Sequence, residues 1–191
     1  LEQADVIVLN GAGLEDFMSD ALSSSKAQVI DCSQDVSLLP SSERGHEGHG
    51  HGEEGDPHIW MDPLRAKTMV QNICDGLSAL DAEHAERYQT NALDAQEHLD
   101  DLYNTWADIF HELENPNLIT FHDGFAYLAD TFDLNILCSI EEEEGSEASA
   151  KEIAEITQLI AEYHLPAIFT EENGSDASAQ AISRETGVKV Y

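Results

Sequence analysis

The central part of the sequence, residues 63–113, has a helical pattern throughout and contains no run typical of a strand. After Pro63 it has no proline and a single glycine, Gly76, while alanine, leucine and charged residues recur at helical spacing. A break near residues 80–82 divides these roughly fifty residues into a helix of about 17 residues and one of about 30. At 1.5 Å per residue the longer helix extends over roughly 45 Å, more than the width of a small α/β unit. We therefore expect a stiff helix that joins two separate lobes.

On both sides of this region, short apolar runs of strand length alternate with helical patterns or loops. The predicted strands are residues 6–9, 29–32, 118–121, 135–140, 167–170 and 188–191. Continuous apolar strands separated by helices are typical of a parallel sheet. The clearest helix covers residues 151–163 and begins with a capping box formed by Ser149 and Glu152, and another follows Ser175 and ends at Gly187.

These patterns predict an α/β fold with two small parallel-sheet lobes joined by a long backbone helix. The predicted domains are an amino-terminal lobe at 1–80, a connecting helix at 81–114 and a carboxy-terminal lobe at 115–191. The first of these includes a histidine-rich loop at 41–55. The sequence begins without methionine and closes on a strand pattern, so we expect it to be an excerpt of a longer chain.

The charge of the chain excludes several classes of partner. Eight Lys and Arg residues against 39 Asp and Glu residues give a formal net charge of −31. Such a surface repels nucleic acid and anionic membranes, because binding to phosphates requires Lys and Arg. No segment approaches the roughly 18 apolar residues of a membrane span, and the amino terminus lacks the pattern of a signal peptide. Metal cations and basic partners remain possible.

The three cysteines do not predict a disulfide framework or a cysteine-based zinc site. Cys32, Cys74 and Cys138 show no CxxC spacing, and their number is odd. Their apolar flanks indicate small buried side chains.

The segment 41–55, SSERGHEGHGHGEEG, is low in complexity and cannot build a core. It contains His46, His49 and His51 among glycines and glutamates. Two interpretations stay open at this point. The segment is either a solvated linker or a flexible loop that collects transition-metal ions weakly, since imidazole suits zinc, copper, nickel and iron.

Two further residues lie where α/β proteins bind ligands, and a third is held just before a helix. His122 directly follows the strand at 118–121, and Glu171 directly follows the strand at 167–170. Ligands bind outside the carboxyl ends of parallel strands, so an imidazole and a carboxylate would share one edge if these strands share a sheet. His58 precedes a helix start in which Asp62 is a suitable N-cap. The alternative for His122 or Glu171 is a loop side chain that caps the next helix, and the alternative for His58 is a histidine packed in the interior. No GxSxG, P-loop, GxGxxG or HExxH motif supports catalysis.

Five segments of the sequence, taken together and in this order, resemble those of a known family. They are NGAGLE at 10–15, the histidine-rich loop, DPHIWMDP at 56–63, FHDGFAYLA at 121–129 and IFTEENGS at 168–175. The chain resembles the zinc-specific substrate-binding proteins of bacterial ABC importers, the ZnuA-like branch of the ZnuA, TroA and adhesin group. The resemblance implies two α/β lobes bridged by a backbone helix, with a metal cleft between the lobes.

The resemblance also implies a function and a set of ligands. The implied protein is extracytoplasmic, periplasmic or lipid-anchored, is a monomer, catalyses no reaction, and delivers Zn²⁺ to the membrane permease of an ABC transporter. His58 and His122 match the family's zinc ligands, Glu171 matches a glutamate near the cleft, and His46, His49 and His51 match an auxiliary loop. Histidine at 122, where manganese-specific relatives have glutamate, favours zinc. The family's first histidine ligand would precede Leu1, and a carboxylate ligand would follow Tyr191.

Two other classes of function are weighed against this one. A zinc-dependent hydrolase would need a general base beside the metal, for which Asp123 or Glu171 is available. A metal-binding adhesin or scaffold would use the acidic surface to bind a partner. Hydrolysis that depends on His122 would indicate the first class, and partner binding that persists after metal removal would indicate the second.

Overall fold

The computed structural model describes residues 3–41, 55–140, 148–170 and 177–191 of the chain. These residues form two compact units. The first unit comprises described residues 3–41 and 55–108, and the second comprises 109–140, 148–170 and 177–191. The long helix belongs mostly to the first unit. The domain limits 1–80, 81–114 and 115–191 stay a prediction.

The first unit contains one pair of parallel strands and the helices that follow them. Strand β1 (Val6–Leu9) pairs with β2 (Gln28–Asp31), with Val6 opposite Gln28 and Leu9 opposite Asp31. Its helices are α1 (Ser19–Ser24), α2 (Pro63–Leu80) and the larger part of α3 (Ala85–His111), and a 3₁₀ turn, Ile59–Met61, precedes α2.

The start of α2 has the cap that the sequence predicts. The side chain of Asp62 accepts a hydrogen bond from the backbone N–H of Leu64 at 2.8 Å, and Pro63 occupies the first helical position. One turn before its end, α2 lies directly on β2. A Cβ atom at Gly76 would lie 2.6 Å from Cδ1 of Ile30, so only glycine allows this approach.

Helix α3 has 27 residues and packs alongside α2. The Nζ atom of Lys67 lies 2.6 Å from Oδ1 of Asp100, and the side-chain amide of Gln96 donates to the backbone carbonyl of Lys67. Helical periodicity predicts an apolar face made of Tyr88, Ala92, Ala95, Leu99, Leu102, Tyr103, Trp106 and Phe110. All of these side chains are buried or half-buried except Leu102, which is exposed.

The second unit contains two more pairs of parallel strands. Strand β3 (Asn117–Thr120) pairs with β4 (Asn135–Ser139), and β5 (Ala167–Ile168) pairs with β6 (Lys189–Val190). Its helices are α4 (Ala126–Phe132), α5 (Ala150–Tyr163) and α6 (Ala177–Thr186). Strands β5 and β6 have two residues each, fewer than the sequence predicts.

The core of the second unit is formed by apolar side chains from strands and helices. Its buried members are Ile119, Phe121, Ile140, Ile156, Ile160, Leu165, Ile168, Ala179, Ile182 and Val188. The predicted capping box at the start of α5 is present, with Ser149 and Glu152 bonded reciprocally. Helix α6 ends at Thr186, and Gly187 follows with a φ of 75°.

The predicted fold class is confirmed: the chain is α/β, its strands pair in parallel, and a long helix lies between the strands of the two units in the sequence. The cysteines are free thiols. Cys32 and Cys74 are buried as expected, whereas Cys138 is half-buried against the core of the second unit. Among the residues that the structure describes, none of the helices combines the length and the apolar composition needed to cross a membrane.

Candidate metal centre

His58 lies in the first unit, immediately before the 3₁₀ turn that leads into α2. Its ring nitrogen Nδ1 is 2.7 Å from Oδ1 of Asp56, and the same oxygen accepts a hydrogen bond from the backbone N–H of His58 at 2.8 Å. The ring centroid lies 5.4 Å from that of Trp60. The side chain of His58 is 23% exposed, while that of Asp56 is 8% exposed. His58 is therefore held by a buried carboxylate and is partly accessible.

The backbone around His58 is attached to two other segments of the first unit. The N–H of Asp56 donates to the carbonyl of Leu39 at 2.8 Å, and the preceding residue, Gly55, forms an antiparallel bridge with Pro40. On the other side, the amide of Asn10 donates to the carbonyl of Pro57 at 2.9 Å. The position of His58 thus depends on contacts with residues far away in the sequence.

Asn10 begins the NGAGLE segment, which follows β1. The carboxylate of Glu15 accepts hydrogen bonds from the backbone N–H groups of Asn10 and Gly11, at 2.8 and 3.1 Å. This closes the segment into a compact loop and directs Asn10 toward Pro57. Within this loop, Asn10 and Glu15 act as structural supports for the segment that carries His58.

His122 lies in the second unit, in the segment between β3 and α4. The preceding residue, Phe121, is buried in the core and anchors the segment. The imidazole of His122 lies beside Phe125, with a ring centroid distance of 5.6 Å. Gly124 is buried against the imidazole: a Cβ atom there would be 2.3 Å from Nε2 of His122. The position of the His122 ring therefore requires glycine at 124.

The structure does not bring the predicted ligands together as one described cluster. His58 and His122 belong to different units, and Glu171, His46, His49 and His51 lie outside the described residues. Within residues 3–41, 55–140, 148–170 and 177–191, no three side chains of histidine, cysteine, aspartate or glutamate are grouped so that they could hold a metal ion. The ligand assignments therefore stay predictions.

Three residues that position the candidate ligands were not predicted from the sequence: Asp56, Asn10 and Gly124. Asp56 precedes His58 by two residues, a spacing at which an aspartate side chain bonds the backbone N–H two residues further on, so the sequence does contain a signal for this contact. The bond from Asn10 spans 47 residues, and no local pattern indicates it.

Two α/β units with parallel strands, connected along the chain by a long helix, define the class as a two-unit α/β protein. A histidine after a strand end in the second unit and another before a helix in the first agree with that class. The family model described as "ZnuA: Zinc-uptake complex component A periplasmic" matches residues 1–191, and the chain belongs to this family. The resemblance inferred from the sequence motifs is confirmed.

Relatives with curated descriptions support the same family. The chain is 32% identical over 197 residues to the zinc-binding lipoprotein AdcA of Streptococcus pneumoniae strain R6, covering 99% of this chain and 39% of AdcA. It is 29% identical over 199 residues to a putative metal-binding protein of Treponema pallidum, covering 100% of this chain and 63% of that protein. The chain therefore spans less than two thirds of the length of each of these two relatives.

Solved structures match the chain over nearly all its length. A crystal structure of ZnuA superposes with a TM-score of 0.88 at 29% identity, covering 99% of this chain and 72% of ZnuA. The laminin-binding adhesin Lmb of Streptococcus agalactiae gives 0.83 at 29% identity, covering 100% and 70%. A Zn(II)-bound variant of AdcAII from S. pneumoniae gives 0.82 at 31% identity, also covering 100% and 70%.

Proposed function

We propose that this chain captures Zn²⁺ outside the cytoplasm and delivers it to the membrane permease of an ABC importer. The observation that carries the proposal is the match of the zinc-uptake family model to residues 1–191. It is supported by the similarity to zinc-binding AdcA and to a Zn(II)-bound AdcAII. No catalysed reaction is part of the proposal, because the family is described as a component of an uptake complex.

We assign His58 and His122 as ligands of the main zinc site, completed by other groups. Neutral imidazole nitrogen is a preferred zinc donor, and zinc sites in proteins are mostly four-coordinate. Glu171 is assigned as a further ligand, and His46, His49 and His51 as an auxiliary loop that gathers zinc. Contribution of ligands by two units would allow reversible capture, because movement of one unit would remove a ligand and weaken binding.

The proposed location is the periplasm or the outer face of the cell membrane with a lipid anchor. The family is described as periplasmic, and AdcA of S. pneumoniae is named a lipoprotein. The proposed partners are zinc and the permease, and the chain acts as a monomer. The net charge of −31 supports partners that are cations or basic protein surfaces.

Competitive zinc titration of the full-length protein with a chromophoric chelator tests this proposal. The informative variants are a His46, His49 and His51 triple alanine variant and a His58→Ala/His122→Ala double variant. His98→Ala is a matched control, because His98 lies on the exposed face of α3.

We expect one tight zinc site in the wild type, in the triple alanine variant of the histidine-rich loop (the loop variant) and in the His98→Ala control. In the double variant the affinity should fall at least about 100-fold, since removing even a supporting partner of a ligand costs 10–100-fold. Tight binding that is unchanged in the double variant and lost in the loop variant would contradict the assignment of His58 and His122.

Adhesion is a second candidate function, favoured by the similarity to Lmb, which is described as a laminin-binding adhesin. Binding of the full-length protein to immobilised laminin, with and without removal of zinc by a chelator, tests it. Saturable binding that persists without zinc would support a separate adhesive surface. Absence of saturable binding in both conditions would exclude this candidate.

A further inference from the structure

We propose that Asp56 is a positioning residue for zinc binding by His58: it orients the imidazole so that Nδ1 carries the proton and Nε2 binds the metal. This inference rests on the proposed function, because it takes His58 as a zinc ligand. Asp56 itself does not contact the metal in this proposal.

The geometry places one carboxylate oxygen against two groups of the same histidine. Oδ1 of Asp56 accepts from the backbone N–H of His58 at 2.8 Å and lies 2.7 Å from Nδ1 of its ring. The first contact fixes the backbone from which the side chain projects. The second fixes the rotation of the ring, so both are determined by one oxygen atom.

Burial makes this contact stronger than a surface ion pair. The side chain of Asp56 is 8% exposed, so water competes weakly for its oxygens. An ionised carboxylate only accepts hydrogen bonds, and a neutral imidazole carries its proton on one nitrogen. Asp56 therefore selects the tautomer with the proton on Nδ1, in which the lone pair lies on Nε2, the nitrogen that we assign to the metal. Carboxylate–histidine–metal arrangements of this kind also increase the basicity of the ligand.

The position of Asp56 is itself fixed by the fold. Its N–H donates to the carbonyl of Leu39, and Asn10 holds the carbonyl of Pro57 between Asp56 and His58. A carboxylate on a mobile loop would follow the imidazole rather than direct it. Here the attachments on both sides make Asp56 a fixed reference for the ring.

The second aspartate of the DPHIWMDP segment has a different role, which makes it a useful control. Asp62 caps α2 through the N–H of Leu64 and pairs with Arg65, whose Nη1 lies 2.8 Å from Oδ2 of Asp62. It is as deeply buried as Asp56. Loss of the carboxylate at 62 should lower stability without changing the tautomer of His58.

The first part of the test uses zinc-free full-length protein. Two-bond ¹H–¹⁵N correlation spectra distinguish the two imidazole tautomers, and His58→Gln assigns the signals. We expect the Nδ1–H tautomer in the wild type and in Asp62→Asn. In Asp56→Ala we expect conversion to a mixture dominated by Nε2–H, and in Asp56→Asn, whose amide oxygen can still accept, an intermediate population. The proposal would be overturned if His58 has the Nε2–H tautomer in the wild type, or if its tautomer population changes in neither Asp56 variant.

The second part is competitive zinc titration of the same variants and of His58→Ala. We expect affinity to fall 10–100-fold in Asp56→Ala and less in Asp56→Asn. If His58→Ala weakens zinc binding but both Asp56 variants bind like the wild type, the positioning role is wrong and the proposed function stands. If His58→Ala binds like the wild type, the ligand assignment of the proposed function fails, and the positioning role for zinc fails with it.

Discussion

Replacing Gly124 by alanine should weaken zinc binding through a direct effect on His122. The added methyl carbon would lie 2.3 Å from Nε2, 3.0 Å from Cδ2 and 3.1 Å from Cε1 of the imidazole. Ordinary van der Waals contacts begin at 3.4 Å, so the ring must move away by about 1 Å. The residue is buried, so the methyl group cannot turn into solvent.

The expected loss of zinc affinity follows from the narrow range of zinc–nitrogen distances in proteins. Zinc–nitrogen distances in proteins vary by about 0.2 Å, so a displacement of about 1 Å removes His122 from a correct coordination position. We expect a loss of affinity of about 10–100-fold, as when the support of a ligand is removed. The free energy of unfolding should fall by about 1 kcal/mol, the lower end of the cost of overpacking, because the imidazole that must move is only half-buried.

Competitive zinc titration of Gly124→Ala, His122→Ala and the double variant measures this effect. If the methyl group acts only by displacing His122, the double variant should bind zinc no more weakly than His122→Ala alone. Thermal unfolding of each zinc-free variant confirms that the second unit is folded at the titration temperature. Wild-type affinity in Gly124→Ala together with reduced affinity in His122→Ala would refute the geometric argument.

Three further predictions concern stability and reactivity. Gly76→Ala should lower the free energy of unfolding, measured by urea denaturation, by about 1 kcal/mol. Overpacking against Ile30 costs about 1–3 kcal/mol, which exceeds the gain of up to about 1 kcal/mol from the higher helix propensity of alanine. A more stable variant would contradict this. Burial, with smaller contributions from nearby carboxylates, raises the pKa of the Cys32 thiol. Peptide mapping should therefore show slow alkylation of Cys32 in folded protein at pH 7 and fast alkylation in urea, and equal rates would be inconsistent with it. Hydrogen bonding to Ser149 lowers the pKa of the Glu152 carboxyl below its usual 4.5, so its stabilisation of α5 is complete above that value and lost as pH falls through the lowered pKa. The protection of amides at the start of α5 against hydrogen exchange, corrected for the intrinsic pH dependence of exchange, should fall over that range in the wild type, and the same fall in Glu152→Gln would rule out this cause.

Much of the fold could be predicted because its elements have strong local signals. The α5 helix combines a capping box at Ser149 with regularly spaced isoleucines, and the structure contains it at Ala150–Tyr163. Helix α1 was not predicted, because its six residues, SDALSS, include no buried side chain and so show no periodicity. The shortness of β5 and β6 was also missed, since apolar character continues beyond the residues that form hydrogen bonds.

The candidate site was only partly accessible to sequence analysis. His122 could be selected from its position after a strand, and His58 from the helix start that follows it and from the family motif. The contacts that hold these two side chains in place depend on the folded structure. The bond from Asn10 to Pro57 results from tertiary structure, which spacing along the chain does not reveal, and the packing of Gly124 on the imidazole of His122 depends on the local backbone conformation.

The bridge between Pro40 and Gly55 has a consequence for the segment that it encloses. It holds Pro40 and Gly55 side by side, and the residue after Gly55, Asp56, is already fixed by Leu39. The entropy of closing a loop grows slowly with its length, by about 0.6 kcal/mol per doubling. Insertions, deletions or a different number of histidines within this segment can therefore be accommodated at small cost and without moving His58. The bridge therefore makes the geometry at His58 independent of the spacing between Pro40 and Gly55 along the sequence.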